Sequence, residues 1–234
     1  MTPLSAVPLN SFTWLVGSLA CFALYYRSFI NYRRSANELS KYLAWFALTM
    51  GCGQALLAVP SFFTLDVGIL RTTYLIGELF VYMSAIAQAA IVWCLVLRQV
   101  TSLKALTIPI AVGGLASWLY AVPNSTLRIN DNFITYRDPL VSTLVIGIML
   151  AGLFLPTGIY FLREATHQTH FKAVLTSVVL GLVYVGVGIS TGGVELVTGQ
   201  VITRQSAVGD LVFFSLMLAA MLWPRRLKLL RTAG

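Results

Sequence analysis

Seven apolar stretches of roughly 17–25 residues, separated by short polar connections, constrain this chain more than any other feature, because about 20 apolar residues of helix cross a bilayer core. In lipid, every backbone polar group must be satisfied within the spanning structure, and a helix does this with its own carbonyls. The spans are expected at about Phe12–Ile30, Tyr42–Phe63, Thr73–Leu97, Ala105–Val122, Leu140–Leu162, Val174–Val194 and Ala207–Trp223. Turn-forming and charged residues fill the gaps, as in "YRRSANELSKY", "VPNSTLRINDN" and "REATHQTHFK". Only 10% of the residues are charged, against about 25% in a soluble domain. The expected fold is all-α: one polytopic membrane domain over residues 1–234, a bundle of seven transmembrane helices in the cell membrane.

The net charge of +8 does not point to nucleic acid here, because basic residues gather on the cytoplasmic ends of membrane helices. One set of span ends carries Arg27, Arg33, Arg34, Lys41, Arg98, Lys104, Arg163, Lys172, Arg225, Arg226, Lys228 and Arg231. The other carries Arg71, Arg128, Arg137 and Arg204. Positive residues stay inside, which places the N-terminus outside and the C-terminus in the cytoplasm. The basic side then faces anionic lipid headgroups. A sequon, Asn124 in "PNST", falls in an outer connection.

Several chemistries are excluded by the residues present. Cys21, Cys52 and Cys94 lie inside apolar segments, as small buried hydrophobes do, with no Cys-x-x-Cys spacing for a metal. The two histidines, His167 and His170, share one connection, so no bis-histidine haem sits in the bundle. Every lysine falls at a span end, which leaves no mid-membrane amine for a retinal Schiff base. No serine-hydrolase elbow, zinc-protease motif or phosphate loop occurs. No catalytic residue, metal or cofactor is expected, and the chain is not expected to be an enzyme.

What remains is a polar set inside the spans. An ionisable side chain at bilayer depth costs several kcal/mol and faces the bundle interior or a cavity. Glu78 in the third span, Glu195 at the end of the sixth and Asp210 in the seventh are such residues. At 100° per residue, Glu78, Tyr82 and Gln88 fall on one broad face of the third helix. Gln54, in "GCGQ", comes from the second span, and Ser190 and Thr191 from the sixth. Together, Glu78, Tyr82, Gln88, Gln54, Ser190, Thr191, Glu195 and Asp210 are expected to line a cleft open to the outside. The sixth span reads "GLVYVGVGISTGGVELVTG", where Gly188 and Gly192 form a GxxxG pair suited to close helix packing.

An outward polar cleft fits small-solute or ion transport. The alternative is a ligand sensor or receptor module that signals through a separate partner chain. A third reading is a structural or assembly subunit, with the polar residues as interhelical hydrogen bonds. The partners expected are the bilayer, a small-molecule ligand, and a second copy of this chain or another membrane protein.

Overall fold

A computed structural model describes residues 7–130, 132–189, 197 and 202–222. Ser190, Thr191 and Glu195 lie outside these residues, as do Trp223 and the basic tail behind it. The described chain is mostly helical and holds seven α-helices. They are α1 (Leu9–Ser35), α2 (Glu38–Ala58), α3 (Val67–Val92), α4 (Leu103–Asn124), α5 (Leu140–Ala165), α6 (Phe171–Val187) and α7 (Arg204–Leu222). A 3₁₀ turn, Val59–Phe62, extends α2, and a π-helical turn, Trp93–Leu97, extends α3.

Five segments are long and apolar enough to cross a membrane: Glu38–Phe62, Val67–Leu97, Leu103–Asn124, Leu140–Ala165 and Arg204–Leu222. The other two helices differ from these for legible reasons. Helix α1 has 27 residues but carries Asn10, Ser11 and Thr13 in its first turns and Arg33 and Arg34 in its last. Helix α6 has 17 residues, of which Ala173–Val187 form its apolar part.

Local chemistry sets the helix starts. Asn37, Asp66 and Ser102 each accept a hydrogen bond from a backbone N–H in the first turn of α2, α3 and α4, which satisfies one of the donors a helix N-terminus leaves open. Helix α3 therefore begins six residues earlier than the expected Thr73 and takes in Arg71. That arginine is tolerated because its guanidinium donates to the carbonyls of Val122 and Ser125 at the end of α4, at 2.9 and 3.2 Å.

Helix α1 packs most extensively against α2 and α7, and α2 against α3. Two crossings depend on glycine. A Cβ on Gly53 would come within 2.9 Å of the Gly77 carbonyl, and one on Gly158 within 2.9 Å of the Gly181 carbonyl. At α2–α3 and α5–α6, backbone thus meets backbone, as small residues permit in membrane helices. Of the expected Gly188–Gly192 pair, Gly188 meets side chains of Phe154 and Leu155 rather than a helix backbone, and Gly192 lies outside the described residues.

The connection between α4 and α5 was expected as a turn-rich loop and is instead a β-hairpin, β1 (Thr126–Asn130) paired antiparallel with β2 (Phe133–Arg137). Asn132 in its turn has φ 60°, a left-handed conformation that asparagine tolerates. Leu127 pairs with Tyr136 and Ile129 with Ile134, so the strands alternate apolar and polar residues. Phe133, Ile134 and Tyr136 are buried with Trp14, Leu57, Leu70, Tyr74 and Ala207, capping one end of the bundle. The Asn10 side chain holds the hairpin edge as a neighbouring strand would: its amide donates to the Ile134 carbonyl at 2.7 Å and accepts from the Ile134 N–H at 3.2 Å.

Candidate functional site

Below the hairpin, α1, α2, α3, α5, α6 and α7 surround a cavity of about 100 Å³. Its walls are mainly apolar and aromatic, including Trp14, Phe46, Met50, Leu150, Phe154 and Phe214. Three polar residues of the expected set line it: Gln54 from α2, Glu78 from α3 and Asp210 from α7. All are buried, with exposures of 7%, 4% and 4%. No lysine, arginine or histidine is among the described lining residues.

Glu78 lies deeper than the sequence suggested. Counted from Val67 rather than from Thr73, it is about 16 Å along α3 at 1.5 Å per residue. Its position is fixed from one turn earlier. The Tyr74 hydroxyl lies 2.8 Å from Glu78 Oε1 and 2.7 Å from Asp138 Oδ2, which follows β2. A phenol has one hydrogen to donate. It therefore joins the two carboxyl groups, serving one of them at a time. Ser125 Oγ donates to the other Asp138 oxygen at 2.5 Å. The Tyr74 ring stacks on Tyr136 at 4.1 Å, and burial keeps the Tyr136 phenol well above its ordinary range and therefore neutral. Asp138 is half-buried at the hairpin edge, so this chain of contacts runs from the rim to the cavity wall.

Tyr82 and Gln88 are directed elsewhere. The Tyr82 hydroxyl is 2.9 Å from Ser117 Oγ on α4, and its ring lies over Gly114. The Gln88 amide donates to Thr157 Oγ1 at 2.7 Å and to the Leu153 carbonyl at 3.3 Å, both on α5. The reason is helical geometry. Six residues of separation turn these two side chains about 120° apart, so the broad face expected on α3 divides among three neighbours. Trp14 is also buried and lines the cavity, while Trp118 donates to the Leu75 carbonyl at 2.7 Å.

Three lining or supporting residues escaped the sequence reading. Tyr74 was detectable from its spacing four residues before Glu78. Asp138, in "YRDP", had no local signal tying it to α3. Tyr184 is a lone hydroxyl in an apolar run of α6. It sits among Phe46, Phe154 and Phe161, is 2% exposed, and its hydroxyl has no hydrogen-bond partner among the described residues. Cys21 Sγ lies 3.9 Å from Gln54 Oε1, and a Cβ on Gly17 would overlap that same oxygen, so Gln54 is seated against α1.

No protein-family model, no curated protein and no solved structure matches this chain.

Proposed function

We propose that this protein is a seven-span cell-membrane protein whose cavity binds a small solute for transport. The observation that supports it is the meeting of Gln54, Glu78 and Asp210, from three helices, in one mainly apolar cavity. Small-molecule sites have this make-up: apolar walls with a few convergent polar groups. Carboxyl groups at this depth are costly unless they serve a pathway or a partner.

In this reading α1 and α6 also cross the bilayer. Helix α1 buries Asn10, Ser11, Thr13, Ser18 and Ser28 inside the protein. The hairpin end faces outward, and the ends of α1 and α5 that carry Arg33, Arg34 and Arg163 face the cytoplasm, by the positive-inside rule. The solute enters from the hairpin side, and Glu78 and Asp210 recognise it. Tyr82 and Gln88 act as interhelical hydrogen bonds and not as ligand contacts.

The test is uptake into proteoliposomes of radiolabelled amines, amino acids, sugars and monovalent cations, with wild type set against Glu78→Gln and empty vesicles. Uptake of one class that Glu78→Gln abolishes supports transport. Saturable binding with no movement of any class transfers the assignment to a sensor module that works through a partner chain.

A further inference from the structure

We propose that the solute is a small organic cation, a primary amine with a short apolar body. The proposal rests on the reading of the cavity as a solute site and names the chemistry that site selects.

Its polar groups favour a donor-rich ligand. Glu78 and Asp210 contribute carboxyl oxygens, each carboxylate with about four lone-pair positions, so contacts already made within the protein do not exhaust them. No basic side chain among the described lining residues competes for this role. An ammonium group is the complementary partner, with three donors and a full charge.

The walls point the same way. Trp14, Tyr74 and Tyr184 are among the aromatic residues around the cavity, and aromatic faces attract cations. Met50, Leu150 and Met217 leave the body of the ligand only apolar contacts. A bare inorganic cation needs a shell of oxygens, which these walls do not supply. Tyr184 also lines the cavity, and its buried hydroxyl has no hydrogen-bond partner among the described residues. Size follows from volume. A cavity of roughly 150 Å³ accommodates benzene, with its six carbons. The 100 Å³ here therefore suits about four heavy atoms on that scale.

The experiment is a ligand-observed NMR titration of the purified full-length protein with n-propylammonium, n-propanol, propionate and sodium chloride at neutral pH. Saturable binding of n-propylammonium is expected, with n-propanol at least about tenfold weaker and propionate not bound, since removing the charge removes the carboxylate contacts. Glu78→Gln and Asp210→Asn are each expected to weaken n-propylammonium about tenfold or more, and Tyr184→Phe a few-fold. Equal binding of n-propanol overturns the proposal and leaves an apolar site. Displacement of n-propylammonium by sodium at matched ionic strength, binding of propionate, or no saturable amine binding overturns it as well. These ligand comparisons on wild type hold even where a variant fails to fold. Amine binding without amine uptake by proteoliposomes sinks the transport reading and leaves this one. Uptake of another solute class without amine binding does the reverse.

Discussion

The two halves of α3 use the same residue types for different ends. Toward the start of the helix, Tyr74 and Glu78 face a cavity and a hairpin. Farther along, Tyr82 and Gln88 face close-packed neighbours, and the hydroxyl of one and the amide nitrogen of the other meet polar atoms on α4 and α5. A tyrosine and a carbonyl-bearing side chain appear in each half. What separates them is the partner helix, and partner choice follows from rotation about the helix axis rather than from residue chemistry. Intramembrane polarity alone therefore does not mark a binding residue; the side chain must also meet space.

That contrast can be broken most severely at its frame. Gly53→Val drives a branched side chain into the Gly77 carbonyl, and overpacking of this kind costs about 1–3 kcal/mol or more. The expected outcome is loss of monodisperse protein in detergent, read by size-exclusion chromatography. Glu78→Gln comes next: folded protein at normal yield, with solute uptake reduced by about tenfold or more, the size of one charge-assisted contact. Unchanged uptake there erases the distinction between the halves.

Tyr74→Phe sharpens the comparison. It keeps the ring stacked on Tyr136 and removes the hydroxyl between Glu78 and Asp138. A loss of about 1 kcal/mol of thermal stability is expected, with a several-fold change in uptake. A stability change with unmoved uptake reduces Tyr74 to a packing residue. Smallest of all are Gln88→Leu and Tyr82→Phe. Interhelical hydrogen bonds in membranes average about 0.6 kcal/mol, so each lowers thermal stability slightly and leaves uptake as in wild type.

The sequence made the long apolar helices legible because a bilayer's thickness sets their length and their lack of charge. It hid the start of α3, because Arg71 reads as the end of a span when its carbonyl partners on α4 are unknown. That error placed Glu78 too near the start of its helix. The hairpin was legible in retrospect from the alternation in "TLRIN" and "FITYR", but the turn residues around it carried the stronger signal. Glu78, Gln54 and Asp210 were found by the cost of burying them. Tyr82 and Gln88 were grouped with them because a helical wheel gives angles on one helix and not which neighbour occupies each angle. Tyr184 and Asp138 become visible only through distant contacts.

The hairpin is anchored at several helix starts together. Asn10 grips its edge from α1, Tyr74 reaches it from α3, and Arg204 at the head of α7 lies over its Phe133 ring. It thus works as a keystone. The ends of α1, α3 and α7 are thus tied through the same few residues, so displacing one of the three rods strains its hold on a piece that the other two share.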